Sequence, residues 1–390
     1  MKNILFLDKA CTGCMVCEKI CPTHAISLVW KKKKKKGGYW YPHIDNCISC
    51  GKCLSVCPVL NSEVNKEKME QTAFIAYHVD INERKKSTSG GLFLAIASHV
   101  IRQGGSVFGA AYNDEFKVVH RRATTLEEVE SFRGSKYVQS DIRFVFQQIV
   151  DDLDNKLVLF SGTPCQISAV KSYCKQIDTH NLVLCEILCY GVPSPDMFSK
   201  HLDNIESHYK SKLCNYVFRD EREGWSQNYI HSVYLQDGRN IYNDTIVQSL
   251  EILYRSHYNI RPSCFECRYI GKERCADITI GDCWGAKEIT AEFDSTYGIS
   301  LALVNTSKGM KVWAEVENDL HSEEIDYDKL THSNGVLMHG PEKPTDYDIF
   351  WKKYMKNGYL YILRSYTPFG GLRFRINRKI RRIMERIRKS

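Results

Sequence analysis

Short apolar strands alternate with amphipathic helices along most of the chain. Residues 72–78 read as a strand. Residues 92–103 read as a helix, because Leu92, Phe93, Ile96, Val100 and Ile101 recur at helical spacing. Residues 126–132 form a short helix opened by Thr125 and Glu128 at capping-box spacing. A strand at 156–160, a tight small-residue loop at 161–165 and a helix at 166–175 come next. Residues 182–190 give a second apolar strand, and 194–207 a helix with Pro195 in its first turn. Residues 229–242 pattern as a hairpin turning at Asp237-Gly238. This succession predicts a mixed α/β body. At the far end, Ile376, Ile380, Ile383, Met384 and Ile387 fall on one helical face, with arginines and lysines opposite, so 372–390 reads as a basic amphipathic helix.

The longest apolar runs stop far short of the ~20 residues of a membrane span. The apolar stretch at the N-terminus is too short for a secretory signal. A cytoplasmic protein is therefore expected. The net charge of +8 divides unevenly: +7 in residues 1–60, +8 in 372–390 and −7 between them. Two local basic features on a mildly acidic body argue against a nucleic-acid binder. Seventeen cysteines in such a chain point to metal or redox use rather than disulfides.

Eight of those cysteines fall in two identical runs. Cys11, Cys14, Cys17 and Cys21-Pro22 are matched by Cys47, Cys50, Cys53 and Cys57-Pro58, the spacing of bacterial two-cluster ferredoxins. Three thiolates two residues apart wrap one face of an iron–sulfur cube. The fourth, three residues on, points away and reaches the other cube. One 4Fe–4S cluster is thus expected on Cys11, Cys14, Cys17 and Cys57, and a second on Cys47, Cys50, Cys53 and Cys21. Zinc sites have no reason to repeat a triple run ending in Cys-Pro. Between the runs, residues 25–28 and 39–41 read as strands flanking six lysines at 31–36, which must be solvent-exposed. They serve either solubility or docking of an acidic electron donor by electrostatic steering.

Residues 61–71 are polar and read as a linker. In the body, Ser87-Thr88-Ser89-Gly90-Gly91 runs into a helix N-terminus, which suits phosphate, or else Ser89 is a plain N-cap. The strand, small-residue loop and helix around 162–166 form a ligand-facing arrangement. Cys264-x2-Cys267 has ligand spacing and needs two further thiolates. Cys275 and Cys283 offer them locally, Cys165 and Cys189 from the middle of the chain. Cys174 and Cys214 read as small buried hydrophobes.

Six motifs then occur in order over roughly 72–310: Ser87-Thr88-Ser89-Gly90-Gly91, Ser135-Lys136-Tyr137-Val138-Gln139-Ser140, Gly162-Thr163-Pro164-Cys165-Gln166, Cys189-Tyr190-Gly191-Val192-Pro193-Ser194, Cys264-Phe265-Glu266-Cys267-Arg268-Tyr269 and the stretch 276–285 with Asp277, Asp282 and Trp284. Together they resemble the β-subunit family of coenzyme F420 hydrogenases and dehydrogenases, here with a fused N-terminal ferredoxin. The resemblance implies an oxidoreductase holding FAD between an iron–sulfur relay and an organic acceptor. Ser89, Gly90 and Gly91 would contact flavin phosphate or ring, and Lys136, Tyr137 and Gln139 would line its site. A third 4Fe–4S cluster would take Cys165, Cys189, Cys264 and Cys267, with Cys275 and Cys283 as competitors for two of those places. Asp277 and Asp282 would hold the surrounding loop, Asp282 with flavin or substrate as its other assignment.

The expected architecture is α+β: a two-cluster ferredoxin-like domain at 1–62, a mixed α/β flavin-binding body in two parts at 72–150 and 151–320, a helical extension at 321–371 and the basic helix at 372–390. The expected partners are an electron-donor protein (a ferredoxin or a hydrogenase or dehydrogenase subunit) and a small-molecule acceptor, with no nucleic acid. The basic helix would add a peripheral contact at the inner face of a membrane. Members of this family also occur where no coenzyme F420 is made, some in surface-polysaccharide gene neighbourhoods. The alternative is therefore a non-enzymatic relay subunit serving a separate catalytic partner, in surface polysaccharide biosynthesis for instance.

Overall fold

The computed structural model describes residues 9–30, 38–61, 71–225, 229–289 and 293–389. The lysine run at 31–36 lies outside them. Near the N-terminus, β1 (Ile26–Trp30) and β2 (Trp40–Ile44) pair antiparallel. The body is built from β3 (Thr72–His78), β4 (Ser106–Tyr112), β5 (Val118–Ala123), β6 (Val158–Gly162), β7 (Leu182–Ile187), β8 (Leu213–Val217), β9 (Ser232–Leu235), β10 (Asn240–Tyr242), β11 (Ile278–Asp282), β12 (Ser300–Val304) and β13 (Leu320–Ile325). Eight of these form one mixed sheet in the order β13-β3-β12-β11-β7-β6-β4-β5. Its centre, β11, β7, β6 and β4, is parallel, and its flanks are antiparallel. Strands from either side of residue 150 thus interleave in a single sheet. The hairpin at Asp237-Gly238 gains β8 as a third strand.

Helices cover both faces of the large sheet, so its central strands carry apolar residues on both sides. On β6, Leu159 packs in one core with Val183, Leu92, Ile96 and Trp313. Val158 and Phe160, one residue to either side, pack in the other core with Leu182, Leu184, Phe146 and Ile167. That alternation follows from the two-residue repeat of a strand. Trp313, on the helix Ser307–Val316, stacks on Phe74 with ring centroids 4.6 Å apart. Trp313→Ala is expected to cost about 3–5 kcal/mol of unfolding free energy; chemical denaturation measures it, and an unchanged midpoint would contradict the packing.

The second apolar strand ends at Ile187, short of Tyr190: the Leu188 amide makes its last bond, to the Ile280 carbonyl, and the chain then leaves the sheet while β11 continues to Asp282 beside β12. The helices Tyr347–Asn357 and Tyr359–Tyr366 close over the N-terminal hairpin. Tyr39, Tyr41, Trp351, Tyr354, Tyr359 and Leu363 share one core. Residues 372–389 form a helix whose Leu372, Ile376 and Ile380 are 71%, 52% and 50% exposed. Among the described residues, no helix is long and apolar enough to cross a membrane.

Candidate redox centre

The two N-terminal cysteine runs fold alike. Gly13 and Met15 take left-handed backbone angles (φ 70° and 68°), and so do Ser49 and Gly51 at the equivalent places (58° and 76°). Each run then enters a one-turn helix, Val16–Lys19 or Lys52–Ser55. Alternating left- and right-handed residues turn successive N–H groups inward, the concave arrangement found at iron–sulfur and phosphate sites. A left-handed methionine is costly, and the repeated geometry is what holds it.

Cys14, Cys17 and Cys57 are buried, and Cys11 is half-buried. Burial first, then the neighbouring sulfurs, holds the Cys14, Cys17 and Cys57 thiols above their ordinary range; Cys11 is among the charges felt by all three. Cys47 and Cys50 are exposed, and Cys21 and Cys53 half-buried.

A second gathering of thiols forms where the parallel strands end. Cys165 follows β6 on the first turn of the helix Pro164–Tyr173, and Cys189 follows β7. Cys264 and Cys267 sit at the short helix Pro262–Glu266, and the segment leading into it is laid against the stretch that follows Cys189: the Arg261 amide bonds the Val192 carbonyl and the Ser194 amide the Asn259 carbonyl. Burial raises the Cys165 thiol to about 11 and Cys264 to about 12, with neighbouring thiols of the group adding to it. Cys189 is held well above the thiol range by burial and then by Cys264 and Cys165, and Cys267 is raised by burial. The four residues are half-buried, and four thiols drawn together with raised pKa values cannot ionise together without a cation among them. The iron core of a cluster supplies that charge, so the donor set fits one. Among the described residues, no three His, Cys, Asp or Glu side chains converge on a single-ion site; the corner thiolates of a cube stand wider apart than the ligands of one ion.

Cys174 is buried as expected, but Cys214, on β8, is exposed and not a buried hydrophobe. Of the two competing cysteines, Cys275 lies beside the group, its thiol donating to the Pro164 carbonyl at 3.3 Å, and Cys283 lies in an apolar core. Cys283 is buried among Phe293, Ile299 and Leu301. Cys275 donates to Glu186 Oε2 at 3.3 Å. Asp277 ties β7 to the chain after β12, accepting from the Leu184 amide at 2.8 Å and from Thr306 Oγ1 at 2.7 Å.

The residues assigned to flavin are largely engaged with the protein itself. The helix Leu92–Arg102 starts after Gly91 with no side-chain cap, so Ser89 is not an N-cap. Ser89 Oγ instead lies 2.8 Å from Ser300 Oγ. A Cβ on Gly90 would come within 2.5 Å of the Ala76 carbonyl, which explains a glycine there by close packing of backbones. Lys136 donates to the carbonyls of Ser131, Phe132, Arg133 and Gly134. Gln139 Nε2 reaches across to the carbonyls of Thr12 and Gly13. Tyr137 stacks on Tyr229, with centroids 5.3 Å apart.

Beside them opens a cavity of about 530 Å³, lined by Lys86, Ser87, Thr88, Arg219, Glu221 and Trp225 among others. Trp225 stacks on Trp284 at 4.4 Å. Arg219 bonds Asp282 at 2.7 Å and Glu221 at 2.9 Å, and lies over the Tyr229 ring at 4.8 Å. One wall of Trp225, backed by Trp284, and a cationic rim of Lys85, Lys86, Arg219 and Arg222 suit a flat ring carrying phosphates. Arg219, Glu221, Trp225 and Tyr229 were not evident from the sequence, since only folding brings them to Asp282 and Trp284.

Two carboxyls share that one guanidinium. Burial first, with Asp282 adding to it and Arg219 opposing, pushes Glu221 from 4.5 up to about 7. A carboxyl raised on folding lends stability that is complete below about pH 4.5 and is lost as pH rises through about 7. Glu221→Gln, which mimics the protonated form, should therefore gain stability relative to the parent between pH 5 and 8. A constant difference in denaturation free energy across that range would show Glu221 ionised throughout.

A family model for the 4Fe–4S dicluster domain matches residues 10–61, and one for the C terminus of the coenzyme F420 hydrogenase/dehydrogenase β subunit matches residues 155–329. Among solved structures, a chain in the xenon-derivatised F420-reducing NiFe hydrogenase complex from Methanosarcina barkeri is similar at 17% identity and a TM-score of 0.47, over 68% of this chain and 88% of that one. No curated protein matches.

Proposed function

We propose, for a chain whose residues 155–329 carry the C-terminal part of the coenzyme F420 hydrogenase/dehydrogenase β-subunit family behind a 4Fe–4S dicluster domain, that it is an iron–sulfur flavoprotein oxidoreductase. Electrons from a ferredoxin-type donor pass through the clusters to FAD and on to coenzyme F420 or another organic acceptor. The clusters supply single electrons, and the flavin pairs them.

The part of the chain is to hold and space these groups. Residues 1–62 take the electrons in, with Cys11, Cys14, Cys17 and Cys57 on one cluster and Cys47, Cys50, Cys53 and Cys21 on the other. Cys165, Cys189, Cys264 and Cys267 hold the third. Ser87, Thr88, Arg219 and Trp225 meet the flavin directly, while Ser89, Gly90, Gly91, Lys136, Tyr137 and Gln139 shape the wall behind. The observation that carries this reading is the group of four half-buried thiols, Cys165 and Cys189 just past the ends of β6 and β7 with Cys264 and Cys267 beside them, each felt electrostatically by others of the group.

Oxygen-free purification followed by iron, sulfide and flavin analysis tests it. About twelve irons, as many acid-labile sulfides and a bound flavin are expected, with turnover of a soluble acceptor by reduced ferredoxin. Clusters without flavin, inert until a partner is added, would make the chain a relay subunit instead. Colourless protein would end both readings.

The terminal helix extends the proposal to a cytoplasmic protein resting on the inner face of a membrane. Its Leu372, Ile376 and Ile380 are exposed, and the segment carries nine basic residues, the composition of an interfacial helix. Flotation with anionic vesicles should be lost on removing 372–390; equal flotation without the helix would refute the contact.

A further inference from the structure

Among the described residues, Arg261 is the largest fully buried side chain. It stands three residues before Cys264, whose amide bonds the Arg261 carbonyl. Its guanidinium leaves that segment and enters the N-terminal domain. Nε donates to the Cys11 carbonyl at 2.8 Å and Nη2 to the Trp40 carbonyl at 3.0 Å. Nη2 also lies 3.7 Å from Cys11 Sγ. Nη1 donates to Gln139 Oε1 at 2.9 Å, and the same Gln139 amide holds Thr12 and Gly13. The cation lies over the Tyr41 ring at 4.6 Å. A Cβ at Gly13 would sit 2.5 Å from Arg261 Nη1, so the loop can approach only as glycine.

Among the described residues, these partners include no carboxylate. A guanidinium fully out of water is strongly unfavourable unless an anion compensates it. The acidic groups that the guanidinium feels are Tyr41, then Cys11 at its tip and Cys264 next to its own backbone, and Tyr39; of these, the two cysteines would be anions as cluster ligands. The two belong to different thiol groups, one in the N-terminal domain and one in the body.

We propose that Arg261 is a positioning residue shared by two iron–sulfur sites, that of Cys11 and that of Cys264. Its single buried cation raises the reduction potential of both, and its fork fixes the gap that an electron crosses between them. The transfer is of one electron: the site of Cys11 is oxidised as the site of Cys264 is reduced, with a ferredoxin-type protein as the initial donor. A positive charge nearby favours the more negative, reduced form of either site, and a rigid fork with five donors holds the spacing where a lysine would not. The inference rests on the cluster reading proposed above.

Potentiometric titration followed by electron paramagnetic resonance on the full chain tests it, comparing the parent with Arg261→Gln, Arg261→Lys and Gly13→Ala. In Arg261→Gln, two of the three clusters should show reduction constants at least tenfold lower, about 59 mV for one electron. The third, of Cys21, Cys47, Cys50 and Cys53, should keep its potential. Arg261→Lys should restore the two potentials to within about threefold, and should weaken the magnetic coupling between those clusters by loosening the spacing. If Arg261→Gln does not fold, Gly13→Ala, which displaces the guanidinium without removing it, should lower the same two potentials. Unchanged potentials in an iron-loaded variant, or an equal shift of all three, would overturn the assignment. A parent chain without iron would defeat the cluster reading itself, a separately visible outcome.

Discussion

Cys264→Ser, purified without oxygen, is expected to hold about eight irons where the parent holds about twelve, since one cube of four is lost. The effect follows from placement. Cys264 is carried on a short helix whose lead-in is laid against the stretch after Cys189, and its thiol is raised by burial and by Cys165 and Cys267. A serine hydroxyl gives up its proton far less readily than a thiol and does not supply the charge that an iron core needs. Cys283→Ser is the matched control. That thiol sits among apolar side chains and should keep all the iron. Cys275→Ser, whose thiol faces Glu186, should keep it too. Iron retained in Cys264→Ser and lost in Cys275→Ser would move the third site to the local pair of cysteines.

The second large effect is expected at Arg219. Its side chain is 2% exposed, bound to Asp282 and Glu221, and lies under Tyr229 and Trp284. Arg219→Met leaves two buried carboxyls without their cation and should cost about 3–5 kcal/mol, as breaking buried pairs does. It should also remove bound flavin, because the same guanidinium forms part of the cavity wall. Absorbance near the flavin maximum, measured per protein, and a denaturation curve report the two losses independently. Protein that stays yellow with an unmoved midpoint would separate this cluster from both roles. Asp282→Asn, which removes one of the two competing carboxylates, should weaken flavin retention less than Arg219→Met does.

The parts of this protein that could be read in its sequence are those written in local repeats. The two cysteine runs needed only their spacing, and the α/β body only the change from two-residue to helical periodicity. The four thiols of the body were recognisable as a set only through a resemblance, for they come from residues 165 to 267 and two nearer cysteines had equal claim by spacing. Gln139 shows the limit of motif reading. It lies in a stretch assigned to flavin, yet its amide joins Thr12 and Gly13 to Arg261, partners more than 120 residues away on either side. Arg219 and Trp225 escaped for the same reason: a basic or aromatic residue on a polar segment carries no local mark of the aspartate it will meet. Arg261 adjoins a cysteine motif, but its burial depends on two tyrosines from a hairpin that precedes it by 220 residues.

The closure of residues 347–366 over Tyr39 and Tyr41 has a bearing on biogenesis. The hairpin is translated before its seat, which is made of later segments together with Ser194, which bonds the Gly38 carbonyl, and Asn259, whose carbonyl accepts from the Tyr39 hydroxyl. The hairpin therefore cannot take its seat until residues 347–366 have been made, and until then the buried Cys14 and Cys17, which lie in the loop just before it, lack that cover.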